Sequence, residues 1–211
     1  MTQFRFKIAW AAFIAIIFVA FSTWYGGAAK PISTEEGQIL LEEIQQIFGD
    51  ADESERGFIA NIEQMIPRDD GREFYAVNLE NLKDGPEPAL ADRAYAKIVF
   101  PLLLKRGGHP VFLSDRVGLM LGEYGNQVDR VAVVRYRSLR DLIDMVLDPA
   151  MKEGEVHKFA ALDHTEVFIT RPTITFIHVR ITLGLLLILI GWLGLRGIDW
   201  FANRTPKPDS P

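Results

Sequence analysis

Two uncharged apolar runs bracket the chain, residues 8–24 near its start and residues 181–195 near its end, and the long stretch between them is of mixed polarity. The first run has 17 residues without a charge, and Tyr25, Gly26 and Gly27 extend it to 20. A helix rises ~1.5 Å per residue, so about 20 apolar residues cross a ~30 Å hydrocarbon core. Trp10, Trp24 and Tyr25 stand near its ends, where amphipathic rings favour the membrane interface. Arg5 and Lys7 before the run and the small residues 27–29 after it also suit a cleaved signal peptide, but the run exceeds the usual ~7–15-residue core of such a signal, which favours an uncleaved anchor. The second run is shorter. It must draw on residues 173–179 or pass Arg196, with Arg180 snorkelling outward along its stem.

Between the runs the period changes. Leu40, Leu41, Ile44, Ile47 and Phe48 recur at helical spacing behind a Ser33/Thr34 cap, with Gly49 as the stop. A second short helix is expected over residues 52–65, presenting Phe58, Ile59, Ile62 and Ile66. Residues 73–82 read as a strand, and residues 89–106 as a helix with Ala91, Ala94, Tyr95, Ile98 and Leu102 on one side. Pro101 is expected to kink that helix or end its regular part, and Gly107-Gly108 to stop it. A long strand or strand pair is expected over residues 109–123, a tight turn at Gly125-Asn126, and a strand over residues 127–137. A helix at 139–147 and a strand at 166–170 complete the order β-α-β-β-α-β. That order is the ferredoxin-like α+β arrangement, in which two right-handed units cover one face of an antiparallel sheet. The uncovered face needs burial too, so a sheet-to-sheet homodimer is expected.

Charge adds a division that periodicity does not show. Net charge is −5, yet residues 34–70 hold eleven acidic residues and two arginines, whereas residues 71–172 hold fifteen acidic and fourteen basic ones. The shift suggests a boundary at the turn-rich residues 67–71. The expected organisation is an anchor (1–29), an acidic helical segment (30–70), an α+β domain (71–172), a second span (173–201) and a disordered tail (202–211). The acidic helices present either a solvated face or a docking surface for a basic partner. Positive charges flanking the outer ends (Arg5, Lys7, Arg196, Arg204, Lys207) outnumber those on the inner ends (Lys30, Arg171, Arg180). By the positive-inside rule both termini are cytoplasmic and the domain is exported across a bacterial inner membrane. The chain has no cysteine, which suits an oxidising compartment and excludes disulfides and thiolate metal sites. No basic stripe lies outside the membrane flanks, which argues against nucleic acid. Gly-rich phosphate loops, the Rossmann fingerprint, His-Glu-x-x-His and the Gly-x-Ser-x-Gly elbow are all missing from the sequence.

Three stretches carry a resemblance: GREFYAVNLENLKD, AYAKIVFPLLLKRGGHPVF, and VDRVAVVRYRSLRDLIDMVLDPAMKEGEVHKFAALDHTEVF. Together they resemble the uncharacterised DUF1330 family of dimeric α+β barrel domains over about residues 71–172, most specifically in VVRYRSLRDLIDMVLDP. The resemblance implies a fold and a dimer. Its superfamily includes monooxygenases, haem-handling enzymes and plain ligand binders, so no activity carries over.

Few side chains suggest chemistry. His109, between Gly107-Gly108 and Pro110, is a candidate proton shuttle or ligand contact, or else a surface turn histidine. Tyr75 is the other catalytic candidate. Arg135 and Arg137 end an apolar strand face and either bind a carboxylate or phosphate or pair with Asp129, Asp141 or Asp144 at a dimer rim. Asn78 and Tyr136 are further candidates for lining a pocket. His157 and His164 would stand ~10.5 Å apart along a continuous helix, too far to share one metal, so neither a metal nor a cofactor is expected. The leading expectation is a membrane-anchored, dimeric module that binds a small molecule or a partner. The alternatives are an oxygenase- or isomerase-like enzyme with an apolar substrate between sheet and helices, and a structural subunit of a membrane complex.

Overall fold

A computed structural model describes residues 2–27, 30–48, 53–175 and 178–204, with the backbone alone for Thr2 and residues 53–56. Gly49, Ala28-Ala29 and the tail beyond Arg204, where a helix stop, a cleavage site and disorder are expected, lie outside the described residues. The chain divides into two units: residues 25–173, and a second made of residues 1–24 with 174–211, which carries the two apolar helices.

The apolar helices are α1 (Thr2–Gly26) and α7 (Val179–Arg204), and both are long and apolar enough to cross a membrane. They lie antiparallel. The Trp10 indole N–H donates to the Gly191 carbonyl at 3.0 Å, and Lys7 pairs with Asp199 at 2.5 Å. Glycines permit this approach: a Cβ on Gly194 would stand 2.3 Å from the Trp10 Nε1.

Residues 25–173 form the ferredoxin-like α+β unit. Its elements are α2 (Thr34–Phe48), α3 (Glu53–Met65), β1 (Phe74–Leu82), α4 (Pro86–Lys105), β2 (His109–Asp115), β3 (Arg130–Tyr136), α5 (Leu139–Val146), α6 (Pro149–Ala161) and β4 (Leu162–Thr170). The antiparallel sheet has the order β2-β3-β1-β4, with Phe74 opposite Tyr136 and Asn78 opposite both Ala132 and Val167. Alternation along the strands sends Phe74, Ala76, Asn78 and Glu80 to the helix-covered face with Tyr136, Val134, Val167 and Ile169. Tyr75, Val77, Leu79, Arg135, Val133, His109, Phe112 and Phe168 share the other face, which is open. Phe112 is 54% exposed there and Phe168 45%.

Two local expectations are corrected, and one is narrowed. The fourth helix runs through Pro101 to Lys105, so that proline does not end it. β2 stops at Asp115 because it is an edge strand paired only with β3, and the apolar residues that follow, Val117, Met120 and Leu121, are almost fully exposed. Gly125-Asn126 lies in a 3₁₀ turn at Tyr124–Gln127, inside a longer connection. A further helix, α6, follows α5 at Asp148-Pro149. Asp148 caps α6 by accepting from the Ala150 N–H at 3.2 Å, and Pro149 occupies the first turn, where its missing N–H costs nothing. At Gly154 a Cβ would stand 3.4 Å from Ile98, so the glycine sets how closely α6 approaches α4.

The acidic helices share one core with the sheet. Leu40, Ile44 and Phe48 of α2 and Ile62 of α3 cluster with Phe74 of β1 and Leu139 and Ile143 of α5. Ile47, on the same apolar stripe, is 43% exposed. Gly37 abuts Ile66, whose Cγ2 would lie 2.5 Å from an added Cβ. Gly37→Ala is therefore expected to lower stability by about 1–2 kcal/mol, overpacking of ~1–3 kcal/mol being partly offset by helix propensity of up to ~1 kcal/mol. A thermal melt several degrees below that of the unsubstituted protein is the expected readout.

Candidate functional site

The candidate residues separate onto the two faces of the sheet. On the open face, pairing sets Tyr75 and His109 on either side of Arg135 at one end of the strands. Arg135 is 1% exposed, and its whole fork is engaged. Nε and Nη2 both donate to the Glu73 carboxylate, Nη1 donates to the Gly107 carbonyl at 2.7 Å, and Nη2 donates to the Tyr25 carbonyl at 2.9 Å. The Tyr25 ring lies over the guanidinium at 3.7 Å, a cation–π contact, and stacks on His109. His109 holds Nδ1 2.9 Å from the Pro110 carbonyl and Nε2 3.4 Å from the Tyr25 hydroxyl. Burial raises the Tyr75 hydroxyl above its ordinary pKa, and the Glu73 charge adds to the shift. Arg137 lies just beyond β3 and turns to Asp141, its Nε donating at 2.8 Å to an oxygen that also accepts from the Ser138 hydroxyl at 2.6 Å. Thus one arginine of the pair meets an aspartate named from sequence, and the other meets Glu73 instead.

Asn78 and Tyr136 lie on the opposite face, in a cavity of about 280 Å³ between the sheet and the helices. Its floor is Ala76, Asn78, Tyr136, Val167 and Ile169, and its walls include Phe58, Ile62 and Met65 of α3, Val146 of α5 and Met151 of α6. β4 forms the rim, with Val167 47% and Ile169 44% exposed. Tyr95 of α4 and Glu155 and Lys158 of α6 add polar groups.

Behind these, Arg130 is clamped by two acids. It donates from Nη1 and Nη2 to Asp92 at 2.9 and 2.7 Å and from Nε to Glu80 at 2.6 Å. These hydrogen bonds hold Asp92 below the usual carboxylate range. Burial, reinforced by the charge of Glu80, pushes the Tyr95 hydroxyl up to about 12. Burial raises Tyr136 as well, so both phenols remain protonated donors at neutral pH. Burial pulls the Lys158 ammonium below its ordinary pKa, against the opposing charges of Glu80 and Glu155.

The Asn78 side-chain nitrogen is spent on the sheet, donating to the Ala132 carbonyl at 3.1 Å, and its amide oxygen has no partner of its own. Among the described residues, that oxygen, the Tyr95 and Tyr136 hydroxyls and the Lys158 ammonium make no hydrogen bond or ion pair. Tyr95, Glu155 and Lys158 escaped the sequence reading as site residues. Tyr95 fell on the apolar side of its helix and was indistinguishable from core. For Lys158 a signal existed: Met151, Glu155 and Lys158 recur at helical spacing after an Asp-Pro cap. His157 lies on α6 and His164 on β4, and among the described residues no group of His, Asp and Glu is arranged to hold a metal ion.

No family model matches the chain, and no curated protein matches it. Among solved structures it is similar to a protein of unknown function from Rhodopseudomonas palustris at 22% identity and TM-score 0.50, over 55% of this chain and 94% of that one. Weaker likenesses, over about half of this chain, are to a hydroxynitrile lyase from Passiflora edulis (12% identity, 50% of this chain, 98% of that one, TM-score 0.37). A cofactor-independent oxygenase from Streptomyces nogalater is similar at 14% identity, over 51% of this chain and 99% of that one, with TM-score 0.36. The Rhodopseudomonas likeness extends to the fold alone.

Proposed function

We propose that this chain is a membrane-anchored binding module whose helix–sheet cavity takes a small, largely apolar molecule, and which pairs with a second copy through its open sheet face. The cavity carries this reading. At about 280 Å³ it falls near the lower end of small-molecule sites, and it combines apolar walls with a few convergent polar groups. A chain serving only as a structural subunit has no need of such a space. The two apolar helices support insertion in a membrane, and the positive charges outside them support cytoplasmic termini with an exported domain.

The test uses the rim. Val167→Trp, at an exposed edge-strand position, fills the cavity mouth with little cost to the fold. Short-chain apolar compounds are expected to raise the melting temperature of the unsubstituted protein, since a ligand that binds only the folded state stabilises it. The same compounds should leave Val167→Trp unmoved. Equal shifts in both proteins, or none in either, would contradict the cavity as a ligand site.

Pairing is supported by the open face, where Phe112, Val133, Val77 and Phe168 form an apolar row across all four strands, and by the DUF1330 resemblance. Phe112→Glu with Phe168→Glu is expected to convert a dimer to a monomer in sedimentation while the far-ultraviolet spectrum stays unchanged. A dimer that survives both substitutions places the interface elsewhere.

A further inference from the structure

We infer that the molecule held in this cavity is a monocarboxylate with an apolar body, its head group taken by Lys158 with Tyr95 and Tyr136. The inference rests on the cavity being a ligand site and goes further by naming the chemistry of the head. Beside the Asn78 oxygen and the Asn61 amide, three polar groups that line the cavity without a partner are donors: one ammonium and two phenols. Such a set is complementary to acceptor oxygens. A carboxylate presents two oxygens with about four lone-pair sites, enough for all three donors.

Charge supports the same choice. Glu80 is already bound by Arg130, which also holds Asp92, so this acid is not available to Lys158 as a salt-bridge partner. Glu155 stands one turn before Lys158 on α6 and lines the cavity with it, and it is itself already engaged. Lys158 thus remains a half-buried cation that feels the charges of Glu80 and Glu155 but is in ion-pair contact with neither, an arrangement that an incoming carboxylate would relieve. The walls set the rest of the ligand. Apart from the exposed Asn61, the walls are apolar, with Phe58, Ile62, Met65, Val146 and Met151, so the body is chiefly a chain or ring of hydrocarbon.

The experiment is calorimetric titration of the full-length protein in detergent with octanoate, octan-1-ol, methyl octanoate and octylamine, repeated on Lys158→Met and Tyr95→Phe. Octanoate is expected to bind about tenfold or more tighter than the alcohol or ester, the range of a charge-assisted hydrogen bond. Lys158→Met should remove that preference while keeping the affinity for octan-1-ol, which shows that the cavity is intact. Tyr95→Phe should weaken octanoate by a smaller factor. Equal affinity for acid, alcohol and ester, or a preference that survives Lys158→Met, overturns the carboxylate assignment and leaves the cavity reading standing. Preference for octylamine overturns it in favour of Glu155 as the reader of a cationic head. Failure of all four to bind overturns both readings.

Discussion

Arg135→Met is expected to lower the unfolding free energy by about 3–5 kcal/mol, because two buried carbonyls lose their donor and the charge-assisted bonds to Glu73 go with it. Methionine keeps most of the stem volume and removes the fork. The Gly107 and Tyr25 carbonyls then lose their donor, at ~1–3 kcal/mol for each buried group left unpaired. Arg135 is 1% exposed, so water cannot readily replace it. Glu73, by contrast, has a side chain 42% exposed, and Glu73→Gln is expected to cost only about 1 kcal/mol, because the amide oxygen still accepts from the fork while both carbonyls and the Tyr25 ring stay on it. Chemical denaturation of the two variants measures the ratio. Similar small losses in both would mean that Arg135 is not the buried tie between β3, the end of α4 and Tyr25. Arg135→Lys should fall between them, since an ammonium cannot serve Glu73 and two carbonyls in one plane.

Ile44→Ala should cost about 2–5 kcal/mol, as full truncation of a buried isoleucine does, and should do so within a single unfolding transition. Ile44 is 0% exposed and packs in the cluster that contains Phe74, Leu139 and Ile143. Its removal therefore opens a cavity shared by the acidic helices and the sheet. If the acidic segment behaved as a stalk, the substitution would melt α2 early and leave the main transition in place. Circular dichroism at helical wavelengths alongside near-ultraviolet signals from the sheet aromatics would separate the two results.

The sequence showed the α+β order because each strand and most helices carry their own period. The stripe Leu40, Leu41, Ile44, Ile47, Phe48 marks α2, and Leu40, Ile44 and Phe48 are buried with Leu41 packed beside them, since i, i+4, i+8 is the line that faces the sheet. Composition misplaced the edge of the domain. Acidic residues on the outer side of α2 and α3 report solvent on that side, and they say nothing about the apolar side, which packs on α5. β2 was drawn too long because apolar residues continue past Asp115, where pairing and not hydrophobicity sets the limit. α6 carries little apolar periodicity because its buried positions are Gly154 and Ala161, with Lys158 at a cavity-facing position. Alternation had already separated Asn78 from Tyr75, and register then put Tyr136 with Asn78 and Arg135 with Tyr75. What the sequence could not supply was the partner of each polar head, because Glu73 for Arg135 and the empty surroundings of Lys158 both arise from tertiary packing.

The central claim is that an apolar ligand occupies the helix–sheet cavity of a paired, membrane-held module. Native mass spectrometry of the full chain released from detergent tests it most directly. The expected spectrum is a dimer carrying small-molecule adducts that collisional activation strips off, with the adducts lost from Val167→Trp and the dimer retained. A monomer without adducts, or adducts that persist unchanged in Val167→Trp, would contradict it.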